Sequence, residues 1–353
     1  MKRLISIFIA AFVVLVGAAY IVPAHQASAA SSASLSIVPK KNYTIEPGKS
    51  VNDKLTIRNL DPAQPLELNL RVIDFTYTDN GGTPKLMLAT DAPETTWSLK
   101  PFLTVPESVT IPPNSSKTVD MSVKIPANHG AGSYYSAILY SSGAPGDGGN
   151  VGLSASGATL VFTSIPGQVN EDLKIKNFGA YDTAAQGKDS GYLFITGNEP
   201  QNLAYTLQNN GNVTEAPVGS IVLKDIFGKE QTINNVNPSG SLALIGQTRT
   251  FTTCIKIQAQ DVNFNGSNTQ TNTCASPGLW PGVYTATLDV FYGQNGNKTQ
   301  EIVKTATFWY LPMWFIFLFI VVLIILAYVV LRTVRAIRRK IYGPQLKKSS
   351  RRK

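Results

Sequence analysis

Between residues 30 and 310 the apolar positions follow a period of two. Leu66, Leu68, Leu70 and Val72 alternate with Glu67, Asn69 and Arg71. Val119, Met121, Val123 and Ile125 alternate with Asp120, Ser122 and Lys124, and Tyr284, Ala286, Leu288 and Val290 with Thr285, Thr287 and Asp289. Successive side chains of a strand point to opposite faces, so each run predicts an antiparallel strand with one buried and one wet face. Turn formers part the runs: Glu46-Pro47-Gly48, Asp79-Asn80-Gly81-Gly82, Ile111-Pro112-Pro113-Asn114 and Asn209-Asn210-Gly211-Asn212. No amphipathic helical period stands out in this stretch. Many short strands with frequent turns predict an all-β fold built from sandwiches.

The two ends abandon the alternation and are apolar throughout. Lys2 and Arg3 precede the run 4–22, followed by Pro23 and Ala27-Ser28-Ala29-Ala30. That order of basic, apolar and small residues predicts an export signal over 1–29, cleaved after Ala29; an uncleaved N-terminal anchor is the other reading. The run 311–331 holds no charge. As a helix its 21 residues would span about 32 Å, against a hydrocarbon core of about 30 Å. Trp309, Tyr310 and Trp314 stand at its outer edge as membrane-interface residues. Arg332, Arg335, Arg338, Arg339 and Lys340 follow at once. A Lys/Arg excess marks the cytoplasmic side, so 332–353 is expected to be a basic cytoplasmic tail held against membrane lipid. The topology expected is therefore a single-pass protein of the cell membrane, with 30–310 extracellular.

A repeat divides the exported part. Ile57-Arg58-Asn59 corresponds to Leu207-Gln208-Asn209, and Gly132-Ser133-Tyr134 to Gly282-Val283-Tyr284, both 150 residues apart. In each copy a strand ending in Asn enters a polar turn, and later a Gly-x-Tyr motif opens an alternating strand. The repeat predicts two tandem immunoglobulin-like sandwiches. The polar stretch 180–188 sets the boundaries at 30–180 and 181–310, with 173–177 counted as a strand of the first. A short joint there predicts an end-to-end rod reaching roughly 80 Å from the membrane.

Charge changes the picture only by its location. The net charge is +9. Ten of the 31 basic residues follow Leu331 and two more precede the first apolar run, leaving 19 against all 22 acids. A mildly acidic body with a basic end withdraws the nucleic-acid reading that the total invites; nucleic acid or an acidic partner is left only as the other reading of the basic end, against the lipid contact expected there.

Candidate chemistry is sparse. After removal of the leader His129 is the one histidine, and no triad or histidine metal site can be built on it. Asp79-Asn80-Gly81-Gly82 and Asp147-Gly148-Gly149-Asn150 supply too few oxygens for calcium and suit hairpin turns. Nothing selects a pair of acids for hydrolysis, so the expectation is a non-enzyme without catalytic residues, metal or cofactor. Cys254 and Cys274, both exported, bracket 19 residues rich in Asn, Gln and Thr that read as a loop. They form either a disulfide, worth roughly 3 kcal/mol on the loop-entropy argument, or two free thiols. Trp97, near Leu99 and Phe102, reads as core. Trp280, in a Pro/Gly-rich turn, either packs between strands or contacts a ligand.

Residues 99–119, LKPFLTVPESVTIPPNSSKTV, and 209–228, NNGNVTEAPVGSIVLKDIFG, together with the C-terminal apolar run and basic end, are similar to the WxL-interacting proteins of Gram-positive bacteria. The Gly132 strand departs from that pattern in lacking a following glycine pair. The resemblance implies two immunoglobulin-like domains before one helix, the first associated with peptidoglycan and the second with other surface proteins. It carries over no binding-site residue. The function expected is a membrane-anchored surface scaffold; a chaperone-like subunit of an export or pilus assembly system is the alternative.

Overall fold

The computed structural model describes residues 35–343 apart from 79–80, 90, 93, 143–154, 265–266 and 294–298. The leader expected over 1–29, the last ten residues, and the Asp79-Asn80 and 147–150 turns lie outside the described residues.

In chain order the first half holds β1 (Leu35–Ile37), β2 (Lys40–Thr44), β3 (Ser50–Asn59), β4 (Leu66–Ile73), β5 (Phe75–Tyr77), β6 (Pro84–Leu86), β7 (Leu103–Thr104), β8 (Ser108–Ile111), β9 (Ser116–Lys124), β10 (Gly132–Ser142) and β11 (Ala155–Ile165). The second holds β12 (Leu173–Tyr181), β13 (Tyr192–Leu193), β14 (Ile195–Thr196), β15 (Asn202–Asn209), β16 (Val218–Asp225), β17 (Glu230–Asn234), β18 (Thr248–Cys254), β19 (Ile257–Phe264), β20 (Ser267–Cys274), β21 (Gly282–Tyr292) and β22 (Gln300–Tyr310). A single long helix follows, α1 (Met313–Tyr342).

The halves share one plan. Sheet β1-β3-β9-β7 faces sheet β2-β11-β10-β4-β8, and sheet β13-β12-β15-β18 faces sheet β14-β22-β21-β16-β17. In both, the opening segment changes sheets and its later strand runs parallel to the last: β2 along β11, β14 along β22. The alternation read from sequence fills the cores. Leu55, Ile57, Leu68, Leu70, Val119, Met121 and Val123 meet in the first, and Tyr205, Leu207, Ile221, Tyr284, Ala286, Leu288 and Val290 in the second. Each fully buried Leu or Ile contributes roughly 1.5–3 kcal/mol by leaving water.

The repeat is physical. Asn59 and Asn209 close equivalent strands and are fully buried. The Asn59 amide donates to Gln64 O at 2.8 Å and Pro112 O at 3.2 Å, and its Oδ1 accepts from Asp61 N at 2.9 Å. The Asn209 amide donates to Val213 O at 2.7 Å and Ala243 O at 2.9 Å, and its Oδ1 accepts from Gly211 N at 2.9 Å. One side chain thus satisfies backbone groups that a tight turn would strand. The Gly-x-Tyr motif repeats as well. The Tyr134 hydroxyl donates to Gly130 O at 3.2 Å and that of Tyr284 to Trp280 O at 2.9 Å, each reaching four residues back.

Three expectations need correction. Residues 173–177 are not a strand of the first sandwich: they open β12, which pairs with β15 over its length, and Leu173 and Ala180 enter the second core. The chain crosses over within 166–172, ahead of the joint expected near 180. The insert between the cysteines is a two-stranded hairpin, β19 with β20, not a loop. Thr and Asn alternate there without an apolar face, so burial left no pattern to read. The helix begins at Met313 with Pro312 as its N-cap and continues to Tyr342, so the basic residues 332–340 are helical rather than a separate tail. It ends at Gly343, whose φ of 65° suits glycine.

Candidate functional site

Two regions stand apart from the cores: the joint between the sandwiches, and the end of the second sandwich that leads into α1.

The joint replaces the expected end-to-end rod. In β10 Ser133, Tyr135, Ser136, Ala137, Ile138, Leu139 and Tyr140 are all buried, because both faces of its sheet are covered. Ile138 and Tyr140 face the first core. Tyr135, Ala137 and Leu139 face outward, with Phe75, Phe162 and Trp97, and Leu244 of the second sandwich is buried among them. Tyr135 stacks on Trp97 with ring centres 6.0 Å apart, and Phe75 meets Phe162 edge-on at 5.8 Å. The second sandwich therefore docks on the flank of the first.

Polar groups lock this contact. The Arg249 guanidinium donates to Tyr77 Oη at 2.8 Å and Leu242 O at 2.7 Å, and lies 4.9 Å from the Tyr77 ring centre. Tyr77 donates to Leu242 O at 3.0 Å, and its backbone N–H to Gln247 Oε1 at 3.1 Å; the Gln247 amide bonds Thr76 Oγ1. On the far side Ser133 N donates to Asn212 O at 3.0 Å and Thr214 N to Ser133 Oγ at 3.0 Å. Gly132 is required there: at its φ of 149°, a Cβ would sit 2.8 Å from Asn212 O. The Lys40 ammonium lies 4.9 Å from the Phe162 ring centre. Burial, then the Arg249 charge, holds it below the ordinary lysine range.

Buried acids flank the joint. Asp74 accepts from Ser98 Oγ at 2.7 Å, Ser136 Oγ at 2.9 Å and Thr95 N at 3.1 Å, fixing the segment that carries Trp97. Glu215 is buried; its Oε2 accepts from Gly293 N at 3.2 Å, and its Oε1 has no partner among the described residues. Burial pushes its carboxyl up to about 7, the Gly293 N–H opposing and the Glu171 charge assisting. Elsewhere, Asp53 accepts from Lys41 at 2.7 Å and Tyr43 at 2.5 Å, and these bonds, with the Lys54 N–H, lower it to about 2.

The residues singled out from sequence do not converge on one site. Cys254 and Cys274 form a disulfide at the base of the β19–β20 hairpin. Trp280 is 73% exposed, so packing between strands is the wrong alternative. Trp97 half-buries against the joint, not the first core. His129 lies edge-on to Phe102 and Tyr134, at 4.7 and 4.5 Å. Trp309 and Tyr310 end β22, and Trp314 opens α1, the one described helix long and apolar enough to cross a membrane. Arg332, Arg335, Arg338, Arg339 and Lys340 are exposed on its last turns, Arg332 donating to Tyr328 Oη at 2.9 Å. Among the described residues no cluster of His, Cys, Asp and Glu could hold a metal ion. Sequence reasoning missed Leu242, Leu244 and Arg249. The signal was available in β10: its apolar run without alternation means two covered faces.

No protein-family model matches the chain, and no curated protein does. Solved structures overlap it loosely. A chaperone–tip adhesin complex of CFA/I fimbriae biogenesis is 12% identical, covering 77% of this chain and 98% of that one at a TM-score of 0.36. The class 5 fimbriae chaperone CfaA is 13% identical, covering 79% and 100% at 0.34. The Salmonella enterica SafA pilin complex with the SafB chaperone is 9% identical, covering 78% and 97% at 0.33. Scores this low assign no function to this chain.

Proposed function

We propose that this protein is a single-pass surface scaffold that holds two immunoglobulin-like sandwiches outside a cell membrane and works by binding. The observation that carries the reading is the docked pair of sandwiches joined to an apolar helix through only Leu311 and Pro312. The basic last turns of α1 support an orientation with residues 332–353 inside and the sandwiches outside. The similarity to WxL-interacting proteins favours a wall polymer such as peptidoglycan, another surface protein, or both as partner. Protease added to intact cells should remove the sandwiches and spare the basic end; the opposite pattern reverses the orientation. Detergent-solubilised full-length protein should retain wall polymer or surface proteins, and retention of neither overturns the binding role.

A second reading is a chaperone-like assembly subunit. What favours it is β18, seven residues long and last in its sheet, where a client strand could pair by backbone hydrogen bonds. Crosslinking of a client strand from exposed Thr252 would support it. Retention of wall polymer without such a crosslink would set it aside.

A further inference from the structure

We infer that the base of the second sandwich sits in the interfacial layer of the membrane that α1 enters, through an apolar rim of Phe194, Ile195, Ile226, Phe227 and Trp280. The inference rests on the reading of α1 as a membrane span and adds a second, peripheral contact with the same bilayer.

Among the described residues of the second sandwich, the large exposed apolar side chains are Phe194, Ile195, Ile226, Phe227, Ile257, Trp280, Val303 and Trp309. Strand register places six of these eight at one end, and Ile257, at the root of the β19–β20 hairpin beside the Cys254–Asn202 pair, lies at that end too. Ile195 pairs with Trp309, Gly282 with Tyr310, and Asp225 with Tyr284. The 226–228 turn, Trp280 and the Phe194-Ile195 pair therefore all lie beside the last residues of β22. The joint with the first sandwich, built from Asn212, Thr214, Leu242 and Leu244, lies at the other end, where β15 finishes.

Chain length then brings this end to the membrane. Two residues separate β22 from α1, a reach of at most about 7 Å. Even that tether is tied down, since Leu311 N donates to Thr196 O at 2.9 Å and Phe315 N to Pro312 O at 2.9 Å. The headgroup layer on each side of the hydrocarbon core is about 5–7 Å deep, so a base on so short a tether meets it. The chemistry matches: aromatic and branched aliphatic groups favour that layer, and contiguous exposed apolar surface marks an interaction site. The turn is also held ready. Asp225 Oδ1 accepts from Phe227 N and Lys229 N, both at 2.9 Å, and Gly228 has a φ of 86°. Phe227 is presented 82% exposed. Lys229 flanks it as a cation suited to anionic headgroups, while Lys224 is paired with Glu230 at 3.0 Å.

The test uses the full-length chain in phosphatidylcholine–phosphatidylglycerol nanodiscs. A polarity-sensitive fluorophore is placed on one introduced cysteine at a time: Phe227→Cys in the rim, Trp314→Cys in α1, and Ser239→Cys at the opposite end. All three positions are exposed, so labelling disturbs no core. The expected result is blue-shifted emission at 227, quenched by shallow nitroxide lipids several-fold more than at 239. Quenching at 314 with none at 227 overturns the inference and leaves the membrane span standing. No quenching at 314 removes the span and the inference together. A blue shift at 227 without lipid quenching assigns the rim to a protein partner or a second copy, and overturns the bilayer contact.

Discussion

The two sandwiches repeat one strand order, one buried asparagine and one tyrosine latch, yet they differ in what covers their outsides. The first has its larger sheet covered on both faces, the outer one by the β5–β6 hairpin, Trp97 and Leu244. The second carries most of its large exposed apolar residues where β22 passes into α1. The parts that make a sandwich close are shared. The faces and ends, which decide what each sandwich touches, differ. The first is built to be docked against; the second docks at one end and carries an exposed apolar rim at the other.

The sharpest way to break this contrast is at the joint. Leu244→Asp would bury a carboxylate among Phe75, Tyr135 and Phe162, at a cost above about 4 kcal/mol to the docked state. The expected outcome is two separate thermal transitions in place of one, with new protease cleavage within 166–172. A single unchanged transition would show that the sandwiches are not coupled.

The asparagines test whether the halves are equivalent in energy as well as in order. Asn59→Ala and Asn209→Ala should each destabilise by about 2–4 kcal/mol, because several buried backbone groups lose their partner. Urea unfolding of both variants measures this. A large loss at one position and none at the other would mean that the repeat is geometric only.

Glu215 has no counterpart in the first sandwich and should make the second one pH-sensitive. Its folded-state carboxyl is raised to about 7, so the folded form holds a proton that the unfolded chain has released. Its favourable contribution is therefore present below the ordinary carboxyl range and lost as pH rises to about 7. The loss is roughly 3 kcal/mol at 1.36 kcal/mol per pH unit. Melting measured from pH 4.5 to 8 should flatten in Glu215→Gln, with higher stability at pH 8.

The smallest effects belong to the latches. Tyr134→Phe and Tyr284→Phe each remove one hydroxyl bond, for about 1 kcal/mol. The Tyr284 variant should also loosen the Trp280 turn, read as faster amide exchange there.

Much of this was legible in the residues. Period-two runs such as 119–125 and 284–290 place one face in a core whatever their partners, since a strand alternates by its own geometry. The repeated Asn and Gly-x-Tyr spacing revealed the duplication for the same reason: these groups act on backbone within a few residues. Their farther partners, Pro112 and Ala243, could not be read. The pattern of residues 173–177 suits either core, and only pairing with β15 chooses. The β19–β20 hairpin was hidden because no apolar face marks it.

By itself, the sequence determined the alternation, the repeat and the apolar helix, all set by local geometry and by the length of chain a membrane requires. The tertiary structure alone decided which sheet each strand joins, that Leu244 seals the flank of the first sandwich, and that distant turns gather into one rim beside α1. Those are contacts between segments far apart in the chain, and their energy comes from surfaces that exist only after both segments have folded.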